Sequence, residues 1–169
     1  MGIAQFEKVS FGQFAEGVAK AFGAVPEEKC RQLYAGISLP KRATRGSAGY
    51  DLYTPADVTI EPGRSVLIPT GLRVRMNEGW VLLIFPRSGL GMRYRLQLNN
   101  TVGVIDSDYC FAKNEGHIFV PLTNDSKEGK TCVIRAGEGF AQGVFVPFGV
   151  TEDDAVTEVR VGGFGSTTK

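Results

Sequence analysis

Four stretches of this chain carry side chains whose types and spacing can do chemistry. The first is Pro86-Arg87-Ser88-Gly89-Leu90-Gly91, directly after the apolar run at residues 80–85. Arg87 offers a planar fork of donors, Ser88 a hydroxyl, and the glycines leave main-chain N–H groups accessible. That set matches phosphate oxygens, although a polar turn after a buried strand has the same composition. The second is Gly103-Val104-Ile105-Asp106-Ser107-Asp108-Tyr109. A carboxylate ending a short apolar stretch can serve as general base toward water, or simply close an Asp-rich turn. Tyr109 just beyond it presents a flat face to a sugar or base. In the third, Ser47-Ala48-Gly49-Tyr50-Asp51-Leu52-Tyr53, Asp51 stands between aromatics, where it can hold a metal-bound water or bond to a turn. The tail Gly162-Gly163-Phe164-Gly165-Ser166-Thr167-Thr168-Lys169 combines N–H groups, hydroxyls and a cation. It suits a triphosphate or a flexible linker, and without GxxxxGK[ST] it is not a Walker loop.

The scarce residues exclude several chemistries. His117 is the sole histidine, so a zinc centre with two or three imidazoles is impossible. It sits in an alternating segment that reads as a strand, where an ordinary structural role is expected rather than a place in a Ser-His-Asp mechanism. Cys30, Cys110 and Cys132 are odd in number, widely spaced and free of any CxxC, which argues for isolated thiols rather than a disulfide scaffold. A formal net charge of +1 lacks the basic footprint of a duplex-binding protein, so no nucleic-acid partner is expected. The first residues have no basic stretch leading into an apolar one, and no apolar run reaches membrane length. A soluble, cytoplasmic protein without a membrane partner is the expectation.

These residues need a scaffold, and the pattern of the chain describes one. Residues 58–60, 65–68, 72–76, 80–85, 94–98, 117–122, 131–135 and 143–148 are β-rich runs. Turn signals such as Glu61-Pro62-Gly63, Asn77-Glu78-Gly79 and Ala136-Gly137-Glu138-Gly139 separate them. Many short strands between Gly, Pro and Asn turns predict an all-β sandwich or barrel, with no βαβ rhythm. Ahead of it, Ser10 with Gln13 three residues on forms a capping-box signal, Val9 and Phe14 a hydrophobic staple, and Gly23 a helix stop. Pro26, Glu27 and Glu28 suit the start of a second helix running toward Gly36. The predicted organisation is therefore a helical extension over residues 1–36, a β domain over 37–161 and a glycine-rich arm over 162–169.

Taken in order, these stretches resemble the five motifs of the homotrimeric deoxyuridine triphosphatase (dUTPase) family. Ala48-Gly49-Tyr50-Asp51-Leu52 resembles the first and Pro86-Arg87-Ser88-Gly89-Leu90-Gly91 the second. The run Asn100-Thr101-Val102-Gly103-Val104-Ile105-Asp106-Ser107-Asp108-Tyr109 resembles the third, Phe140-Ala141-Gln142-Gly143 the fourth, and Gly162-Gly163-Phe164-Gly165-Ser166-Thr167 the fifth. The resemblance implies a distorted jelly-roll or β-barrel fold (a β-clip) and a homotrimer with shared active sites. It implies Mg²⁺-dependent hydrolysis of dUTP to dUMP and pyrophosphate, which keeps uracil out of DNA and supplies dUMP for dTMP synthesis. It also implies roles. Asp106 activates the attacking water and meets the sugar 3′-hydroxyl; Tyr109 packs on the deoxyribose and excludes a 2′-hydroxyl. Main-chain groups from Asn100 through Gly103, Val104 and Ile105 read uracil. Arg87, Ser88, Gly89 and Gln142 hold phosphates, and Asp51 supports waters on the magnesium. Phe164 stacks on uracil while Gly165, Ser166 and Thr167 wrap the triphosphate.

Elementary chemistry is compatible with those roles. Mg²⁺ is a hard ion that keeps most of its waters, so a triphosphate can supply its ligands and the protein few. Phosphoryl chemistry needs positioning and charge neutralisation more than covalent help. The chain departs from the family pattern in three places. Residues 110–115 intervene before Gly116 where the family turns quickly, Gly139-Phe140 stand where Arg-Ile is common, and Arg160 stands one residue closer to the arm than usual. Two other functions remain open on the same fold: a deoxycytidine triphosphate deaminase, and a nucleotide-sensing or protein-binding module without catalysis.

Overall fold

The computed structural model describes residues 2–158, 160 and 162. The chain opens on a strand, β1 (Ala4–Lys8), followed by helices α1 (Phe11–Phe22) and α2 (Glu27–Ala35). Short strands then dominate: β2 (Lys41–Arg42), β3 (Tyr50–Tyr53), β4 (Val58–Ile60), β5 (Ser65–Pro69), β6 (Leu72–Met76) and β7 (Trp80–Pro86). A third helix, α3 (Ser88–Tyr94), leads to β8 (Leu96–Leu98) and β9 (Gly103–Ile105), and a 3₁₀ helix covers Ser107–Phe111. The last strands are β10 (Phe119–Asn124), β11 (Cys132–Ile134) and β12 (Gly139–Pro147).

The expected all-β architecture is present, among the described residues, as four small sheets. The largest has strand order β2-β3-β12-β7-β9; the others are β5-β10-β8, β11-β4 and β1-β6. Alternation explains them. Along β10 every second residue is buried, Val120, Leu122 and Asn124, which is the period-2 signature of a sheet covered on one face. Leu52, Leu82, Ile84, Ile105, Leu122 and Phe140 converge in one core, each at most 1% exposed. Burying a side chain of this size stabilises by roughly 1.5–3 kcal/mol, so these residues dominate the cohesion of the β body.

The helices build a second core on the flank. Val9, Phe14, Val18 and Cys30 pack with Ile37 and with Leu72 of β6. Ser10 caps α1 as its position predicts, its hydroxyl accepting from the Gln13 amide at 3.3 Å. The reciprocal half of the expected capping box is different. The Ser10 amide donates to the Glu115 carboxylate at 2.8 Å, and Gln13 turns to Glu16 instead. A partner 105 residues away thus replaces the local one.

Other boundaries also move. No strand is predicted within the first eight residues, yet β1 pairs antiparallel with β6 from Ala4↔Met76 to Lys8↔Leu72. Its short apolar-polar alternation is weak by itself, and the partner lies far along the chain. Tyr94, read as a strand residue, ends α3; Arg95 then takes a left-handed conformation (φ 51°) and lets β8 begin at Leu96. His117 lies outside any strand and β10 starts at Phe119, because residues 114–117 form a hydrogen-bonded turn, the His117 amide donating to the Asn114 carbonyl at 3.0 Å. β12 begins at Gly139 rather than Gly143, its first residues pairing with β3. No helix among the described residues is long and apolar enough to cross a membrane.

Candidate active site

Register in the five-stranded sheet assembles one half of the site. Asp51 of β3 pairs with Gln142 of β12, and Gln142 pairs on its other side with Phe85 of β7. Arg87 lies two residues beyond Phe85, just past the end of β7, so a carboxylate, an amide and a guanidinium gather at this end of the sheet. The Arg87 Nε is 3.8 Å from the Asp51 carboxylate. Its amide donates to the Phe140 carbonyl at 3.1 Å, fixing the loop to β12. Gly139 leaves room for the guanidinium, since a Cβ there would lie 3.0 Å from Arg87 Nη1. Gly49 does the same for Gln142, whose Oε1 occupies the place a side chain would take.

Ser88 and Gly89 head α3 rather than an irregular loop. With Arg87, Arg93, Tyr53 and Glu138 they line an open hollow of about 680 Å³. That volume lies in the ordinary range for small-ligand sites. Two arginines beside a carboxylate give it the charge to hold phosphate oxygens.

The other half is built by the turn between β8 and β9, which lie in different sheets. Asn100 is exposed at its tip and Thr101 takes φ 69°, bringing the chain round. Gly103 is buried against Ile84, where an added Cβ would stand 3.1 Å from Ile84 Cβ. Val104 is 52% exposed and Ile105 is buried, so this strand presents backbone and one side chain outward. Asp106 follows immediately, its carboxylate 47% exposed. The 3₁₀ helix then turns the Tyr109 ring into the protein, where it is buried. Burial raises the pKa of its phenol. The hydroxyl donates to the His117 carbonyl at 2.9 Å and accepts from Asn114 Nδ2 at 2.8 Å.

Arg160 covers this corner. Its guanidinium donates to Asp106 and, at 3.0 Å, to Asp108. It also stands over the Tyr109 ring, 5.7 Å from the centroid. Arg160, displaced by one residue from the family pattern, thus lies at this corner, whereas Asn114 was not among the residues expected to build the site. An Asn-x-Gly turn signal marks Asn114, but nothing local points it at Tyr109.

The two halves do not meet within one chain. Strand β9 runs antiparallel to β7, with Ile105 opposite Leu82. Asp106 therefore projects toward the start of β7, whereas Arg87 leaves its far end. At about 3.3 Å per residue, the interval from Leu82 to Arg87 puts the two side chains on the order of 15–20 Å apart. Asp51, Arg87, Ser88, Gly89 and Gln142 are gathered at one end, and Asp106 and Tyr109 at the other. The expected contacts of Phe164, Gly165, Ser166 and Thr167 lie outside the described residues.

Comparison with known proteins bears on the same residues. The family model described as dUTPase matches residues 35–168. The deoxyuridine 5′-triphosphate nucleotidohydrolase of Lactococcus lactis is 47% identical over 136 residues, covering 79% of this chain and 89% of its own length. That of Paraburkholderia xenovorans is 41% identical over 139 residues, covering 78% and 89% respectively. The crystal structure of dUTPase from Streptococcus mutans superposes with a TM-score of 0.64 at 37% identity, covering 87% of this chain and 98% of the other. The match spans most of the chain, including both halves of the site, and the chain belongs to the dUTPase family.

Proposed function

We propose that this chain performs dUTP hydrolysis through Asp106, which draws a proton from a water attacking the α-phosphorus. Family membership makes it a dUTP diphosphatase, yielding dUMP and pyrophosphate and so removing dUTP from the pool of DNA precursors. The observation that carries the mechanism is the half-exposed Asp106 carboxylate at the end of β9, three residues before the buried Tyr109. A carboxylate there can accept the proton of a water while meeting the sugar 3′-hydroxyl. The Tyr109 ring supports the deoxyribose, and the backbone of residues 100–105 supplies donors and acceptors for uracil.

Arg87, Ser88, Gly89 and Gln142 hold the phosphates of the same nucleotide, neutralising charge that grows during transfer. Since these groups stand far from Asp106 in one chain, the complete site is read as lying between subunits of a homotrimer. For dUTP to enter the Asp106 corner, Arg160 must leave both carboxylates, and a phosphate is the natural new partner for its guanidinium. Residues 162–169, with Phe164, Gly165, Ser166 and Thr167, are read as an arm that closes on the nucleotide. The place of action is read as the cytoplasm, where deoxynucleotide precursors are consumed.

The donor set suits Mg²⁺. Among the described residues no three His, Cys, Asp or Glu side chains cluster as a metal site. A cation coordinated mainly by the triphosphate and by waters needs no such cluster, and Asp51 beside the phosphate hollow is the carboxylate to hold one of those waters. When bound, Mg²⁺ supplies charge neutralisation on the phosphate oxygens. The decisive measurement mixes the protein with Mg²⁺ and dUTP, dTTP, dCTP or UTP separately and follows pyrophosphate. Release from dUTP alone is expected; release from all four, or none, would overturn the reading.

A further inference from the structure

The loop after Tyr109 is tied at Asn114 and Glu115, the first bonded inward and the second outward. On the inner side, Asn114 Nδ2 donates to the Tyr109 hydroxyl at 2.8 Å, while Asn114 Oδ1 accepts from the Gly116 amide at 3.2 Å. The Tyr109 hydroxyl in turn donates to the His117 carbonyl. Gly116 sits so tightly that a Cβ would stand 2.7 Å from Cys110 Cα and 2.8 Å from the Tyr109 carbonyl oxygen. The loop therefore folds back on the Tyr109 backbone with no slack.

On the outer side, Glu115 takes φ 58°, a left-handed conformation that a glutamate adopts at a cost. Its carboxylate accepts from the Ser10 amide at 2.8 Å and from the Ser10 hydroxyl at 2.6 Å. Those bonds hold the Glu115 carboxyl below its ordinary range, so the clasp is charged at neutral pH. Ser10 is itself fixed by α1, whose Phe14 and Val18 are buried. A continuous set of contacts thus runs from the first helix, through Glu115 and Asn114, to the phenol of Tyr109. The helices lie ahead of residue 35, where the family match begins.

We propose that Asn114 is a positioning residue for Tyr109, and that the clasp between Ser10 and Glu115 holds it in place, so that rejection of ribonucleotides in this chain depends on its N-terminal helix. The inference rests on the reading that Tyr109 packs against the deoxyribose. A ring set by its hydroxyl keeps its face at a fixed distance from the sugar. If the hydroxyl is released, the ring can tilt and leave space for a 2′-hydroxyl.

Steady-state kinetics of the full chain with dUTP and UTP test this. Asn114→Ala should raise the UTP-to-dUTP ratio of kcat/KM roughly tenfold, with the loss on dUTP falling on KM more than on kcat. Tyr109→Phe, which also gives up the bond to the His117 carbonyl, should raise the ratio at least as far, and the double variant should go no further than Tyr109→Phe, because the Asn114 bond to the phenol is then already absent. Ser10→Ala with Glu115→Gln, both surface changes, should move the ratio in the same direction by a smaller factor and keeps the test open should Asn114→Ala fail to fold. An unchanged ratio in Asn114→Ala or in the clasp variant, alongside a relaxed ratio in Tyr109→Ala, overturns the proposal. An unchanged ratio in Tyr109→Ala removes instead the sugar-packing reading, and the proposal with it.

Discussion

The Gly71 amide donates to Nε2 of His117 at 2.9 Å, which makes that nitrogen an acceptor and leaves the proton on Nδ1. The imidazole is fully buried between the Phe14 and Phe119 rings and against Gly17 of α1. Burial lowers its pKa to about 4, against the Gln13 carbonyl and the Glu115 carboxylate, which pull the other way. Protonation must occur at Nε2 and would set two N–H donors against each other.

A pH dependence of stability follows from that arrangement. Above the ordinary histidine pKa of about 6.5 both folded and unfolded chains are neutral at His117, and no stability is lost. Below it the unfolded chain takes up a proton that the folded chain refuses until about pH 4. Stability should therefore fall as pH drops from 6.5 toward 4, by up to about 3 kcal/mol across the window. Urea midpoints across this range, compared between wild type and His117→Gln, check it. A slope that persists unchanged in the variant would assign the loss to carboxylates instead.

Gly71 itself should tolerate no side chain. Its φ is 70°, and a Cβ would collide with Ile37 Cδ1 and stand 2.9 Å from Phe14 Cδ2. Gly71→Ala should cost about 2–4 kcal/mol by strain and overpacking where β6 meets the helices. Thermal unfolding reads this directly. An unshifted Tm would mean that the helical layer is loosely seated.

Removing the Asp106 carboxylate should separate binding from chemistry. Asp106→Asn keeps size and most hydrogen bonding but cannot take the proton of a water. Its kcat should fall by about 10²–10⁴-fold while binding of a non-hydrolysable dUTP analogue persists. Calorimetric titration beside pyrophosphate release measures both. Retained turnover would rule out the base assignment.

Sites shared between subunits make a stronger demand. Arg87→Ala and Asp106→Asn should each be nearly inactive, yet their mixture should regain activity after subunit exchange. If each site draws Arg87 from one subunit and Asp106 from another, random mixing restores about a quarter of wild-type turnover. No recovery in demonstrably mixed oligomers would mean that each chain completes its own site.

Much of this molecule is legible in its sequence, because much of it is decided over a few residues. The β-rich run at residues 117–122, two residues out of step with β10, and the turn at Glu61-Pro62-Gly63 mark a β protein without reference to anything distant. Ser10 and Gly23 bound α1 as written, since a cap and a stop act within one turn. Arg87-Ser88-Gly89 and Asp106 to Tyr109 are contiguous, so the kinds of chemistry available could be named from their order. The tertiary structure alone decided how those pieces meet. Strand register sends Asp106 and Arg87 to opposite ends of β7, pairing with β6 turns residues 4–8 into a strand, and Arg160 finds Asp106 and Asp108 across more than fifty residues. Such contacts depend on the sum of many weak burials and ladder bonds spread along the chain, and no window of neighbouring residues contains that sum.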